Sequence, residues 1–525
     1  NKWDRLVSQA LKNTQIFVKA TGLHNIEAMG TAEARKNRQD LWWCIDLMRA
    51  MFRHTAHRRS LNIVTLLLTP QRLNALLILA RCCNQLLSPR MIASMSPEMA
   101  AALAETREEM EEMSRKLPRG YNLVKEVHVW YRTIRACTYN LLGVAAKEIP
   151  QVFYEVAPAS RLGTTAFECL PTMPPLYLKV ILDQLLPQFL TSYPLKNREQ
   201  ARVFQGALGE ILSGLFSRLG RGWAEHQYTE FKNSHGSEKD EIRSSSALVN
   251  ATRAFVNCLC SMVTVPQGIA GISFVRNFFY PPSAISGSNN PIQDEKKGMT
   301  ERKKTMERNP YVPSKMEIAR SNMIVEIILA DTNLFQLVMT VLTALIIWPH
   351  SASCVTACTL VVRFIPAIVK SRQRLRAYAP SIIQIFEAAL KVLSRLSKEL
   401  EEAQHGALVN MNKEIYCNLV PIGLGELQKI LERIPGVDIS ELRRVENTIV
   451  KAAGEKTQKK AFKNFIFRHV VGRQVDAGRR FSVQDLPESF VASCKDLSAR
   501  RDKYRNRGKS DDDDDGKGFE WIFSR

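Results

Sequence analysis

The amino-acid sequence predicts an all-α protein made of stacked helix pairs, and three observations support this. Apolar residues recur at steps of three and four, strand-like alternation is nearly absent, and prolines separate the apolar stretches. At 525 residues the chain is too long for one hydrophobic core, which rarely grows beyond about 300 residues. The chain is therefore either a set of domains or a linear array of repeats.

Four apolar stripes show the helical period most clearly. A helix with one apolar stripe must bury that face against a neighbour, so each stripe predicts a packed helix. The stripes are Trp3, Leu6, Val7, Ala10 and Leu11; Val124, Val127, Tyr131, Ile134, Thr138, Leu141 and Ala145; Ala201, Phe204, Leu208, Ile211, Leu215 and Leu219; and Ile383, Phe386, Leu390, Leu393, Leu396 and Leu400.

Prolines predict where the helices turn. Proline cannot continue a helix but fits its first turn. The units between prolines vary in length and share no tight consensus, which favours HEAT-like repeats in a superhelical solenoid over tetratricopeptide or ankyrin arrays. The prolines expected in turns are Pro70, Pro89, Pro118, Pro150, Pro171, Pro187, Pro266, Pro349, Pro366, Pro380, Pro421 and Pro435.

Composition divides the chain into four parts. Residues 1–279 and 316–497 are predicted to be HEAT-like repeats, and 280–315, rich in Pro, Ser, Asn and charge, a mobile polar insertion. Residues 498–525 form a charged tail with an acidic run at Asp511–Asp515. That run either keeps the tail soluble or folds back on the basic surface.

No catalytic, cofactor or metal site stands out. The chain lacks a GxxxxGK[ST] phosphate loop, and His54 and His57 lack the glutamate of a zinc helix. The eleven cysteines have no zinc-site spacing and lie mostly in apolar runs, as expected of reduced thiols in the nucleus or cytosol. Leu334–Trp348 is too short to span a bilayer, so we expect a buried helix and no membrane partner. Because the sequence has no catalytic motif, we also expect that the chain is not an enzyme.

The charge balance indicates a polyanionic partner. Lys and Arg number 73 against 52 Asp and Glu, a net charge of +21, which attracts nucleic acid or acidic surfaces. Residues 440–509 hold 18 Lys/Arg and 8 Asp/Glu, a net of +10. No base-reading module is visible, so contact with the phosphate backbone of an RNA duplex, recognised by shape, is the expected use.

Sixteen side chains in these basic clusters are candidates for RNA binding. Each belongs to a run with few neighbouring acids, and Lys456–Lys463 repeats at helical spacing on one face. The candidates are Arg53, Arg58, Arg59, Arg363, Lys370, Arg372, Arg374, Arg376, Lys456, Lys459, Lys460, Lys463, Arg468, Arg473, Arg479 and Arg480.

Several segments resemble the exportin-5 (HASTY-type) members of the importin-β superfamily. The resemblance covers Val124 to the terminus, whereas earlier residues match by helical pattern only. The segments are NLLGVAAKEIPQVFYE from Asn140, PLYLKVILDQLLPQFLTSYP from Pro175, ILSGLFSRLGRGW from Ile211, IYCNLVPIGLGELQKILERIP at Ile415–Pro435, KKAFKNFIFRHVVGR at Lys459–Arg473 and FSVQDLPESF at Phe481–Phe490.

The resemblance implies a nuclear export receptor that shuttles between nucleus and cytoplasm without a cofactor. Its implied partners are Ran-GTP, hairpin or other double-stranded RNA such as microRNA precursors, nuclear-pore proteins and, in some relatives, protein cargo. The repeats that grip Ran-GTP most extensively are expected upstream of Asn1. Two alternatives stay open, a receptor for protein cargo and a helical scaffold in an RNA-processing complex.

Overall fold

The computed structural model confirms the all-α fold class. No strand occurs in the part of the chain that it describes, which is almost entirely helical. The described residues are 26–56, 68–115, 121–232, 238–262, 315–348, 351–395, 402–434, 437–451 and 455–470. The stripe from Trp3, the predicted insertion 280–315 apart from its last residue, and the tail 498–525 lie outside them.

The described part of the chain divides into two compact units, with the boundary after Cys258. We call them the first and the second unit. The helices of the first unit are α1 (Ile26–Met29), α2 (Ala32–Ala56), α3 (Pro70–Leu86), α4 (Pro89–Ser94), α5 (Pro97–Ala102), α6 (Arg107–Arg115), α7 (Tyr121–Glu148), α8 (Pro150–Val156), α9 (Ala159–Gly163), α10 (Pro175–Gln184), α11 (Leu186–Ser192), α12 (Arg198–Lys232) and α13 (Glu238–Met262), whose last turn falls in the second unit.

The second unit continues the same pattern of consecutive helices. Its helices are α14 (Lys315–Leu329), α15 (Thr332–Ile347), α16 (Ser351–Val369), α17 (Arg372–Arg395), α18 (Glu402–Leu419), α19 (Glu426–Glu432), α20 (Ile439–Lys451) and α21 (Glu455–His469). Single 3-10 turns occupy Leu170–Thr172 in the first unit and Val420–Ile422 in the second.

Three helices of the first unit begin with a hydroxyl side chain followed by proline. Thr69, Ser88 and Ser96 each have extended backbone angles and accept a hydrogen bond from the backbone N–H three residues later. That bond satisfies an N–H which has no partner inside the helix, and the proline supplies the helical φ. These Thr-Pro and Ser-Pro pairs therefore set the starts of α3, α4 and α5.

Helix α7 is the centre of the first unit. Helices α1, α2, α3, α5, α6, α8, α10 and α11 all pack against it. Its predicted stripe, Val124 through Ala145, is buried at every position. A helix surrounded on this many sides needs apolar residues on more than one face. Among the described large apolar residues of α7, Val129 is the one that is exposed, at 56%.

A close approach between α7 and α10 depends on glycine. A Cβ placed on Gly143 would lie 2.1 Å from the backbone carbonyl oxygen of Gln184. Asn140, one turn earlier, donates a hydrogen bond to the Gln184 side chain at 2.8 Å. Only a residue without a side chain lets the two backbones approach this closely.

Arg135, two turns earlier on α7, is fully buried, at 1% exposure. Its guanidinium donates to Asn84 Oδ1 of α3 at 2.7 Å, and to Met173 Sδ at 2.9 Å and the Tyr177 carbonyl at 3.2 Å. It also lies 4.8 Å from the ring centre of Tyr139. No described carboxylate pairs with it, so these groups together replace water around a buried cation.

The second unit stacks its helices in two layers. Helices α14, α16, α18 and α21 contact one another in turn, as do α15, α17 and α19, while consecutive helices such as α15 and α16 also pack together. Contact with both the next helix and the next but one is the packing of a helical-repeat array. The unit therefore has the repeat arrangement that the sequence predicted.

Two of the predicted turns are wrong. Pro366 lies inside α16 and Pro380 inside α17. A proline inside a helix removes one backbone hydrogen bond, and the apolar burial of these long helices outweighs that loss. In the fourth stripe, Phe386, Leu390 and Leu393 are buried, whereas Ile383 is only partly buried, and Leu396 and Leu400 lie outside the described residues.

The apolar segment Leu334–Trp348 forms α15 and its C-cap. Ten residues of α15 are buried, as expected for a core helix. By length and composition, α16 is the one described helix that could span a membrane by itself. Helices α14 and α15 are long and apolar enough only when taken together, as a pair bent by 107°. Since 72% of the α16 window is buried inside the protein, core packing accounts for its apolar character.

We expect Gly143→Ala to destabilise the first unit by about 1–3 kcal/mol, because the added methyl group would force α7 and α10 apart. Gly206→Ala is the matched control, since Gly206 is exposed on α12 and a Cβ there would meet no atom within 4 Å. The control should be neutral or stabilising by up to about 1 kcal/mol. Urea denaturation followed by circular dichroism measures both, and equal effects would contradict the close-contact account.

We expect Arg135→Ala to destabilise the first unit by about 3–5 kcal/mol, because it leaves a cavity and removes the donors that Tyr177 and Met173 face. Arg132→Ala, at an exposed position of the same helix, should change stability by less than about 0.5 kcal/mol. Hydrogen exchange of α3, α7 and α10 reports the loss locally. Unchanged protection in Arg135→Ala would refute a structural role for the buried guanidinium.

Candidate nucleic-acid interface

Eight of the sixteen candidate side chains fall among the described side chains. Arg53, Lys456 and Lys459 lie in helices α2 and α21, but their side chains are outside the described part of the structure. Five further candidates lie wholly outside it: Arg58, Arg59, Arg473, Arg479 and Arg480. The eight that remain form two groups, both in the second unit.

The first group lies where α16 ends and α17 begins, and we call it the α16–α17 cluster. Its members are Arg363, Lys370, Arg372, Arg374 and Arg376. Lys370, Arg372 and Arg376 are exposed, and no carboxylate among the described side chains pairs with them. These three are the members of the cluster that water and a polyanion reach most easily.

Arg374 is held by a carboxylate that its local sequence does not show. Its guanidinium pairs with Glu326 of α14 at 2.7 Å and donates to the Ala367 carbonyl at 3.4 Å. The hydrogen bond to Glu326 raises the pKa of Arg374. Glu326 lies 48 residues earlier, so the absence of acids within the α16–α17 cluster did not reveal the pair.

Tyr378 holds α17 against α14 and so brings Arg374 to Glu326. The Tyr378 hydroxyl donates to the Leu329 carbonyl at 2.5 Å, and its ring packs on Phe335 with 4.1 Å between centroids. Tyr378 lies one turn after Arg374 on the same helix face. The burial of this aromatic pair therefore sets the position of the ion pair.

Arg363 is the half-buried member of the cluster. It donates to Asn322 Oδ1 of α14, while its Nε is buried without a hydrogen-bond partner. Burial lowers the pKa of Arg363, because a low-dielectric environment disfavours the charged form. This guanidinium lies deeper than the other four cations.

The second group, the α21 cluster, consists of Lys460, Lys463 and Arg468. Lys460 and Lys463 are exposed, and the Lys463 ammonium lies 5.3 Å from the ring centre of Phe467. Arg468 is exposed as well, but it pairs with Glu441 of α20. Sequence spacing alone did not separate the two lysines from the paired arginine.

The opposite face of α21 explains why these cations point outward. Phe462, Phe465 and Ile466 are fully buried, and Phe462 packs on Tyr416 of α18 with 5.7 Å between ring centroids. Because residues on one side of a helix share a direction, burial of this apolar face leaves Lys460 and Lys463 on the solvent side.

Glu441 connects α20 to the end of α21. It accepts a hydrogen bond from His469 at 3.0 Å besides its ion pair with Arg468. The bond from His469, followed by the charges of both partners, holds the pKa of Glu441 below its usual value. The carboxylate is 18% exposed and the imidazole 5%, so the two helices share a partly buried polar contact.

The structure adds two cations that were not among the candidates. Arg443 and Arg444 are exposed on α20, which packs against α21. The high Lys/Arg content of residues 440–509 was a signal for them. Their position beside the α21 cluster became evident only from the packing of the two helices.

The described thiols are mostly buried and lack a metal-site arrangement. Burial raises the pKa of Cys83 to about 12 and that of Cys82 to about 11, so both stay protonated near neutral pH. No group of three or more His, Cys, Asp or Glu suited to a metal occurs in the described ranges. His57 and the side chain of His54 lie outside them.

Comparison with known families gives one match. A sequence model of the Exportin-5 family matches residues 9–481. The match begins well before Val124, at which the segments that resemble the family begin, and it ends before the basic and acidic tail. No curated protein matches the chain significantly.

We expect acid to break the contact that Glu441 makes. Because its pKa is lowered in the folded state, the carboxylate stabilises α20 against α21 above the ordinary glutamate pKa, and this stabilisation disappears as the pH falls through the lowered value. Glu441→Gln should therefore lower the thermal midpoint at pH 7, and the difference from the wild type should shrink as the pH falls below the ordinary glutamate pKa. Glu432→Gln, at an exposed position of α19, is the control. A pH-independent difference would contradict this assignment.

Proposed function

Since the chain belongs to the Exportin-5 family of nuclear export receptors of the importin-β type, we propose that it carries structured double-stranded RNA. Receptors of this family bind Ran-GTP and a cargo, and they shuttle between the nucleus and the cytoplasm. The proposal concerns the cargo, which we infer to be duplex RNA of the hairpin type, and the dependence of its binding on Ran-GTP.

The observation that carries the proposal is the recurrence of exposed cations without a described acidic partner. Lys370, Arg372 and Arg376 in one cluster and Lys460 and Lys463 in the other meet this description. They belong to a chain whose net charge is +21. Such a surface favours a regular polyanion, because each neutralised phosphate releases bound counterions.

Duplex RNA suits this surface better than single-stranded RNA read by its bases. The described residues form helices and short turns, with none of the sheet platforms on which bases stack in RNA-binding modules. Lysine and arginine on helix surfaces contact phosphates without reading sequence. We therefore expect recognition by shape and charge, with little preference among sequences.

Ran-GTP would act through binding linkage. If Ran-GTP and RNA each favour the same arrangement of the repeats, each raises the affinity for the other by the same factor. Hydrolysis of GTP then weakens the hold on RNA and releases it in the cytoplasm. In this scheme the chain binds and releases ligands, and we expect it to catalyse no reaction of its own.

Transport of a protein cargo is the second candidate function. Trp43 of α2 and Val129 of α7, two helices that pack together, are each 56% exposed, and exposed apolar side chains are common in protein interfaces. A competition assay with hairpin RNA and a protein cargo tests whether the two ligands use the same surface. If they use separate surfaces, both bind the chain at the same time.

We expect binding of a hairpin RNA to weaken steeply with salt. Replacing Lys460 and Lys463 with glutamine should lower the affinity and reduce the slope of log K against log salt by about two, one for each phosphate that is no longer neutralised. Fluorescence anisotropy across a salt series measures both quantities. Unrelated hairpins of equal length should give similar constants.

The control replaces Lys147 and Lys196, which are exposed on the first unit outside the predicted clusters, and should keep the wild-type slope. If this control changes the slope as much as the cluster variant does, binding is diffuse and the assigned clusters are wrong. Salt-independent binding, or no binding by the folded chain, would refute the RNA proposal itself.

A further inference from the structure

A pocket of about 280 Å³ opens between α14 and α16 in the second unit. Its polar lining consists of Asn322 and Glu326 from α14, Arg363 from α16, and Lys370 just after α16. Two of these residues belong to the α16–α17 cluster. The pocket is therefore a concave part of a surface that otherwise presents exposed cations.

The carboxylate in the pocket does not neutralise Arg363. Glu326 pairs with Arg374 at 2.7 Å, and the hydrogen bond from Tyr378 of α17 to the Leu329 carbonyl of α14 supports that pair. Arg363 receives only the oxygen of Asn322, and its Nε is buried without a partner. Because the charges of Glu326 and Arg374 cancel, Arg363 and Lys370 leave about two uncompensated positive charges at the pocket.

The free polar atoms around the pocket are mostly donors. The Asn322 oxygen already accepts from Arg363, so its amide NH₂ is the group that remains for a ligand. Arg363 contributes further N–H groups, and Lys370 contributes an ammonium group at an exposed position. Several donors around one concavity fit an anion with several acceptor oxygens, and a guanidinium fork matches phosphate geometry.

The size and the apolar wall of the pocket limit what the ligand is. Met323, which is 43% exposed, and Pro366 form part of that wall. Pockets for whole small molecules span about 300–1,000 Å³, so this one fits a phosphate with its attached sugar. The sugar would lie on the apolar side chains and the phosphate on the donors.

We propose that this pocket binds the terminal phosphate monoester of the RNA cargo, an inference that rests on the proposed function. A monoester at a chain end carries up to two negative charges and has one flanking sugar, so it can enter a concavity lined by two cations. A backbone diester carries one charge and is flanked by sugars on both sides, which keeps it at the rim. The pocket would thereby distinguish a chain end from the interior of a duplex.

The test uses the full chain and one hairpin RNA in three forms, with a 5′-phosphate, with a 3′-phosphate, or with hydroxyl groups at both ends. We expect one phosphorylated form to bind about tenfold more tightly than the hydroxyl form, equivalent to about 1.4 kcal/mol. The two phosphorylated forms show which chain end the pocket takes. Anisotropy at constant salt gives the three constants.

Arg363→Gln should bring the ratio between phosphorylated and hydroxyl RNA close to one, and Lys370→Gln should reduce it. Arg376→Gln removes an exposed charge of the same cluster outside the pocket lining and should weaken all three forms equally, so that the ratio persists. Circular dichroism confirms that each variant is folded, and Lys370→Gln, at the exposed rim, still tests the pocket if Arg363→Gln unfolds.

Equal affinities for the three forms would overturn the pocket proposal and leave the RNA proposal standing. A preference that survives in Arg363→Gln would also overturn it, because the discriminating site would then lie elsewhere. If the folded chain binds none of the three forms, the proposed function fails, and this inference fails with it.

Discussion

The buried guanidinium of Arg135 is the interaction on which the first unit depends. Water cannot reach this charge, so the protein must supply its hydrogen-bond partners, and it does so from three separate segments. Asn84 comes from α3, Met173 from the segment after the 3-10 turn, and Tyr177 from α10. Tyr139 adds its ring and ties Asn84 to the Ala166 carbonyl. These segments pack around α7 and supply partners for the two terminal nitrogens of the guanidinium, while its Nε is buried without a hydrogen-bond partner.

The second unit relies on repetition instead of a single buried hub. Each of the helices α14 to α17 contacts its next and next-but-one neighbours, so apolar burial is divided along the stack. The same packing decides which basic residues are paired with acids. Where a neighbouring helix brings a carboxylate, as Glu326 does for Arg374 and Glu441 for Arg468, the cation becomes part of the structure. Where no described acid arrives, the cation remains available to a ligand.

The difference between paired and unpaired cations connects the fold to the proposed cargo. A formal charge of +21 overstates the surface that a polyanion meets, because paired cations contribute less. The cations that remain lie on helix faces opposite buried aromatic residues, as Lys460 and Lys463 do opposite Phe462. A rigid helical surface with separated positive groups favours a ligand whose charges are also regularly spaced, which is a property of duplex RNA.

The sequence by itself determined the all-α class, the stripe from Val124 to Ala145 and the family, because helical periodicity and local motifs are properties of neighbouring residues. Its proline rule failed at Pro366 and Pro380, where the burial of whole helices outweighed one lost hydrogen bond. Only the tertiary structure decided which cations are paired, because Arg374 and Glu326 are distant in sequence and meet through helix packing. The same packing created the pocket beside Arg363.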